Sequence, residues 1–216
     1  MRILHCIPTM GGGGAERQLA YLLPLLAERG WDVHLAYLHD GPNQETLRGA
    51  NITQHQPAHR HPHDPRTALT FARIVRRLRP NIVHTWLLYM DVVAGLTCWA
   101  SRIPWVMSER SIGPMRHSLV YRNFVRHLAG KTASAVVSNS STGQKYWARE
   151  LPADVRQYII PNCLPVERIN AVVDAPVDFG SIQPGQKLVL FVGRLDVEKN
   201  SETFIPALQQ LLAERD

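Results

Sequence analysis

Residues 2–18, RILHCIPTMGGGGAERQ, read as a β-strand, a glycine turn and the opening of a helix. Ile3, Leu4, Cys6 and Ile7 form an apolar run of strand length, four consecutive glycines interrupt it, and Ala15-Glu16-Arg17 begins a segment of helical period. Glycine admits positive φ and close approach of the backbone, and the first N–H groups of a helix lack partners. The turn is therefore expected to be an anion site, with Gly12, Gly13 and Gly14 as donors and Glu16 beside them. A tight βα turn made glycine-rich for geometry alone is the other reading of the same residues. The dinucleotide fingerprint does not fit: with Gly11 and Gly13 as its first two glycines, Glu16 falls where a small residue should pack helix on strand.

Outward from this stretch, short β-branched runs alternate with helical segments, the pattern of a parallel sheet flanked by helices. Strands are expected at residues 3–7, 32–38, 52–55, 82–86, 105–108, 135–138 and 158–160, and helices at 15–28, 65–78, 91–101, 118–129 and 141–150. Gly30 after the first helix, Asp64-Pro65 at the start of the second and Pro80 at its end are proper boundary signals. The class is α/β, a Rossmann-like parallel sheet spanning a domain of residues 1–164. Pro176, Gly180, Pro184 and Gly185 mark residues 165–186 as a linker, and residues 187–216 begin a new unit with the buried-type strand KLVLFV (187–192) and a helix over 201–215. One strand and one helix cannot close a core. That tail packs on the first domain, pairs with another chain, or starts a second domain.

A chain of 216 residues that is 45% hydrophobic can bury one large core. No apolar run reaches the roughly 20 residues of a membrane span, and Met1 leads directly into a strand, so a cytoplasmic protein is expected. Cys6, Cys98 and Cys163 are widely spaced and odd in number, which suggests neither disulfides nor zinc and marks them as small buried or half-buried residues. The net charge of +6 favours anionic partners. With few aromatics and no helix-turn-helix, zinc-finger or RNP-like pattern, nucleic acid is not expected among them.

Four motifs in order resemble glycosyltransferase family 4, the retaining sugar-nucleotide enzymes of the GT-B fold. GGGGAERQ (11–18) looks like the family's amino-terminal GG-x-E entrance. PNIVHTW (80–86) resembles its D-x-V-H-x-H strand, YIIPNCLP (158–165) its V-I-P-N-G strand before the domain crossover, and FVGRLDVEKN (191–200) its V-G-R-L-x-x-x-K-G opening of the second domain. The resemblance implies an amino-terminal GT-B domain with the start of a donor domain. It implies transfer of a sugar from a nucleotide-diphosphate donor to a glycan or lipid-linked acceptor in cell-envelope or exopolysaccharide synthesis. Arg194 and Lys199 correspond to the cations that hold the donor diphosphate in the family, so neither a metal nor a cofactor is required.

The chain also departs from that pattern. Cys163 and Asn200 replace glycines, and Ser108-Glu109-Arg110 stands where many relatives carry a histidine. Some branches carry Ser-x-Arg there, which places Glu109 and Arg110 in the cleft; His84, at a strand end, is the other candidate for substrate contact, with a structural hydrogen-bonding role as its alternative. The family's Glu-x7-Glu pair has no counterpart, since Glu198, Glu202 and Glu214 do not have that spacing. The chain thus resembles an acceptor-side domain with a fragment of the donor side, inactive by itself. A sugar-nucleotide epimerase of the same architecture and a non-catalytic acceptor- or partner-binding module are the alternatives.

Two clusters lie outside these motifs. His55, His59, His61 and His63 crowd into a proline-rich segment, as solvated loop histidines or as metal ligands. The helix near 115–131 carries Leu119, Val120, Phe124 and Leu128 with Arg116, Arg122, Arg126 and Lys131 and no acid. A core-facing helix with a solvated basic face is one reading, and peripheral contact with the inner face of the plasma membrane is the other.

Overall fold

The opening strand, Arg2–Thr9 (β1), is buried on both faces in the interior of a seven-stranded sheet, as parallel strands covered by helices are. The computed structural model describes residues 1–57, 65–110, 120–171, 185–193 and 200–214. After β1 the chain forms α1 (Gly14–Glu28), β2 (Asp32–His39), β3 (Ile52–His55), α2 (Pro65–Leu78), β4 (Ile82–Trp86) and α3 (Leu87–Ser101). It continues as β5 (Trp105–Glu109), α4 (Val120–Gly130), β6 (Ala135–Ser138), α5 (Ser141–Glu150) and β7 (Arg156–Ile159). All neighbouring strands are parallel and their order is β3-β2-β1-β4-β5-β6-β7. The chain steps outward from β1 to β3, returns to β4 and steps outward the other way. Between β1 and β4 the direction reverses, and there, beyond the carboxyl ends of the strands, an open α/β sheet has its ligand crevice.

The two faces carry separate cores. Leu19, Ala20 and Leu23 of α1 pack on Ile3, Ile7, Val33, Leu35 and Trp86. Phe71 and Val75 of α2, Met90, Ala94 and Cys98 of α3, Ala129 of α4 and Trp147 of α5 cover Leu4, Cys6, Val83, Met107 and Val136 on the other face. Right-handed crossovers require this split, because connections running toward β3 and those running toward β7 emerge on opposite sides.

Several expectations are corrected. Helix α3 begins at Leu87, a turn before Asp91, because Asp91 is no surface cap: it is fully buried and accepts a hydrogen bond from Thr85. The seventh strand begins at Arg156, ahead of the apolar run at 158–160. Cys163 is exposed, unlike buried Cys6 and Cys98. Arg126, expected on a solvated basic face, points into the interior between α3 and β5.

The chain divides into two units, Met1–Leu164 and Pro165–Asp216. The second contains α6 (Val166–Asn170), a 3-10 turn (Ser201–Thr203) and α7 (Phe204–Ala213). Its run 187–192 is not a strand: it has no ladder partner among the described residues, and Leu188, Val189, Leu190 and Val192 are exposed. An apolar sequence supplies the propensity, but a strand exists only where another backbone satisfies its N–H and C=O groups. Asn200 takes φ 50°, a left-handed conformation that Asn tolerates in place of glycine.

Candidate functional site at the switch point

Beyond the end of β1 the chain passes through the glycine run, with Gly13 as the N-cap of α1. None of these four glycines takes a positive φ, so the conformational reason for them does not apply, and what counts is space. A Cβ on Gly13 would stand 2.8 Å from Cδ of Glu16, whose carboxylate folds back over the start of the helix, whereas Gly12 and Gly14 face open space. The negative group nearest the helix N-terminus thus belongs to the protein. The space left open at this turn is therefore beside Gly12 and Gly14, while the Glu16 carboxylate fills that beside Gly13 and would repel an anion there. The connection after β2 braces the run: Asn43 donates its backbone N–H to the Met10 carbonyl at 3.1 Å and its side-chain amide to the Gly11 carbonyl.

Across the reversal, His5 of β1 lies in register with His84 of β4. Their rings are 5.1 Å apart, and His84 lies 4.9 Å from the Trp86 ring. The guanidinium of Arg110 covers the other side of this cluster, 4.3 Å above Trp86, and donates to the Asn162 side-chain oxygen at 2.8 Å. His84 Nε2 and the Ser108 hydroxyl are 2.8 Å apart. Leu87, directly after Trp86, has φ 68°, a left-handed conformation that costs a non-glycine residue roughly 1–2 kcal/mol and turns the chain from β4 into α3.

Asn162 and Cys163 complete this edge. Gln18 of α1 accepts from the Cys163 N–H and donates to the Cys163 carbonyl, both at 2.8 Å. One dipeptide is therefore tied to α1 by Gln18 and to the end of β5 by Arg110. Cys163 does not need the left-handed conformation that would demand glycine, which explains why a side chain is tolerated in the P-N-G position.

His84 and Arg110 are thus brought together. Glu109 is not with them: its side chain is fully buried on the opposite face, accepting from Arg126 at 3.0 Å and Trp147 at 2.6 Å. Alternation along β5 is the cause, since neighbouring residues point to opposite faces. Arg194 and Lys199 lie outside the described residues, as do His59, His61 and His63. His55 is not a solvated loop residue; its Nε2 lies 3.0 Å from His34 Nδ1, and no metal-binding group of three occurs among the described residues. His5, Gln18, Trp86 and Asn162 join the site beyond the sequence-based candidates, although Gln18, Trp86 and Asn162 stand inside the quoted motifs.

Electrostatics fix what these groups do. Burial pushes His5 down to about 3, and burial, then His5 and Arg110, hold His84 well below its ordinary value. Both rings are neutral at pH 7. Trp86 Nε1 donates to His5 Nδ1 at 3.4 Å, which assigns the His5 proton to Nε2. Burial lowers Arg110 to about 10, still a cation, and its Nε is buried without a partner among the described residues. The cluster offers one cation, neutral imidazoles and an indole face. It is suited to binding and orienting a polar or anionic ligand, and none of its groups changes charge near neutrality.

A depressed histidine makes stability depend on pH with a definite sign. Unfolded His5 takes up a proton below about 6.5 while the folded ring stays neutral to about 3, so stability is constant above pH 6.5 and falls as the pH drops through that window. The slope is about 1.4 kcal/mol per pH unit for a fully buried ring, and His84 acts in the same direction. Urea unfolding is expected to show a lower midpoint at pH 5.5 than at 7.5, and His5→Gln to flatten the difference. A pH-independent midpoint in the unmodified protein excludes this account.

The family described as Glycosyltransferase Family 4 matches residues 12–168. The chain belongs to glycosyltransferase family 4. The matched span runs from Gly12 through Asn162 and Cys163, and so contains the glycine-turn and switch-point residues except Gly11 and those of β1. No curated protein matches the chain by sequence. Among solved structures, HepE of Anabaena in complex with UDP and glucose superimposes with a TM-score of 0.64 at 19% identity, over 77% of this chain and 46% of that one. The UDP-N-acetylglucosamine 2-epimerase of Neisseria meningitidis, bound to UDP-GlcNAc, gives 0.57 at 11% identity over 80% and 50%, and that of Methanocaldococcus jannaschii 0.55 at 12% over 74% and 45%. These likenesses establish a shared fold, and this family 4 chain spans about half the length of each.

Proposed function

We propose that this chain is the acceptor-side part of a retaining glycosyltransferase that moves a sugar from a nucleotide-diphosphate donor to a glycan or lipid-linked acceptor of the cell envelope or an exopolysaccharide. The observation that carries the reading is the convergence of the glycine turn, His84 and Arg110 at the switch point of a family 4 chain. In this reading the acceptor lies over Trp86, with Arg110 and neutral His84 fixing its polar groups. Gly12 and Gly14 face the donor, and Arg194 and Lys199 neutralise its diphosphate. Burial makes neutral His84 a weak base, so in this reading the departing phosphate takes the acceptor's proton, the course open to a reaction that retains configuration. Glu109 has no direct part in it.

HepE was solved with UDP and with UDP-glucose, which favours a uridine nucleotide as the first donor to try. Calorimetric titration with UDP, GDP and ADP tests the proposal, on this chain and on one continuing through a whole second domain. Binding by the longer chain alone, or markedly tighter there, is the expected result; no binding by either overturns it. Epimerase neighbours of the same fold give the alternative a place. Conversion of UDP-N-acetylglucosamine to its C2 epimer without any acceptor would decide for that reading.

A further inference from the structure

Residues 65–134 contain eleven Lys and Arg and only two acids, Asp91 and Glu109. Both acids are fully buried. The whole chain has a net charge of +6, so this third of it carries more positive charge than the protein does, and its surface contains no carboxylate to offset it. Arg126 is buried and Arg110 belongs to the switch-point cluster, but Arg66, Arg73, Arg76, Arg102 and Lys131 are exposed along one layer: α3 packs between α2 and α4, and all three turn their apolar sides to the same core.

The outward sides repeat one pattern. On α2, Arg66, Leu69, Arg73 and Arg76 are exposed at i, i+3, i+7 and i+10, a single stripe. On α4 the same spacing exposes Tyr121, Phe124 and Leu128, and Lys131 just beyond the helix continues the line. Between them α3 exposes Leu96 and Trp99, with Arg102 at its end. Trp99 is 63% exposed, Phe124 67% and Leu69 60%, high values for large apolar side chains on a folded surface.

We propose that the α2–α3–α4 layer is a docking face for an anionic lipid bilayer, with Leu69, Trp99, Tyr121, Phe124 and Leu128 entering the headgroup region and Arg73, Arg76, Arg102 and Lys131 pairing with lipid phosphates. Charge complementarity selects an anionic partner. The mixture of singly spaced apolar and aromatic side chains with basic ones is the composition of an interfacial surface, where Trp and Tyr sit at headgroup depth. A nucleic-acid surface would need the charge without Leu69, Phe124 and Leu128. No helix among the described residues is long and apolar enough to cross a membrane, so the contact is one of lying on the surface. The face uses none of the switch-point residues, and the inference stands or falls separately from the proposed reaction.

Co-sedimentation with vesicles of phosphatidylcholine alone and of phosphatidylcholine with 30% phosphatidylglycerol, roughly the anionic fraction at which such surfaces hold basic faces, is the test. The protein is expected to sediment with the anionic vesicles only and to be released as salt is raised. Paired Arg73→Glu and Arg76→Glu should weaken partitioning by roughly 20-fold or more, and paired Trp99→Ser and Phe124→Ser should weaken it at fixed charge. Unaltered melting curves show that these surface variants fold. Absence of sedimentation overturns the proposal. So does equal weakening by Arg48→Glu with Lys145→Glu, which lie outside this face, or retention on duplex DNA that ignores the Trp99 and Phe124 changes.

Discussion

Arg126→Met is expected to destabilise the protein by about 3–5 kcal/mol, the range for breaking a buried ion pair by removing one partner. The guanidinium is 5% exposed and lies between Asp91, 2.7 Å away, and Glu109, 3.0 Å away, both fully buried. It also lies 5.2 Å from the Trp147 ring, whose Nε1 donates to the same Glu109 oxygen. Two carboxylates share one cation. Burial raises the Asp91 carboxyl although Arg126 pulls it back, and the two acids together keep Arg126 charged against its own burial. Methionine fills much of the volume but leaves both acids unpaired. Asp91→Asn in the Arg126→Met background should recover part of the loss, because it removes one of the stranded charges. The deficit relative to the unmodified protein should also narrow as the pH falls and the Asp91 carboxyl, already raised by burial, protonates. Urea unfolding of the three proteins at two pH values measures all of this; a loss below about 1 kcal/mol, the scale of an exposed pair, would mean that the triad contributes nothing to the fold.

The same residues show how far the sequence could be read. The expected β3, β4 and β6 and helices α2 and α5 coincide with the observed elements because each is a local pattern with a local boundary, such as Asp64-Pro65 before α2. Arg126 is different. On its own helix it is one of several basic residues, and nothing within a turn of it says that Asp91 and Glu109 wait on α3 and β5. Glu109 was misplaced for the same reason: its residue type suited a cleft, but the alternation of β5 put Arg110 there instead. Motif order led to the family, and His84, Trp86 and Asn162 of the switch-point cluster lie inside those motifs, whereas His5 and Arg110 lie outside them. The interplay of Trp86 with His5, and of Gln18 with Cys163, spans 81 and 145 residues, which no periodicity reports. The run 187–192 failed in the opposite sense, since its local signal is strong and its missing partner is not a property of the segment.

Glycine gives the sharpest contrast. The run of four catches the eye, yet a Cβ on Gly12 meets nothing within 4 Å and its φ is not positive, so Gly12→Ala is expected to leave stability within about 0.5 kcal/mol. Gly41, a single glycine in the connection after β2, is one whose Cβ would meet main-chain atoms. Its φ of −178° is ordinary extended backbone, so conformation is not the issue. A Cβ there would overlap the Met10 carbonyl and come within 2.5 Å of the Gly11 nitrogen, and these are main-chain atoms that no rotamer change can move aside. The neighbouring bonds leave no slack either: Met10 donates to the His39 carbonyl at 3.0 Å and Asn43 to the Met10 carbonyl at 3.1 Å. Gly41→Ala must therefore push the glycine turn off the end of β1 or break those bonds, at a cost of about 3 kcal/mol, the upper part of the range for overpacking. Because the displaced atoms, of Met10 and Gly11, lead into the glycine turn, the nucleotide binding proposed for that turn should fall in the same variant even where it remains folded. Thermal unfolding of Gly12→Ala and Gly41→Ala side by side decides the matter: equal melting temperatures would mean that the connection yields, and that the glycine turn is not held in place from β2.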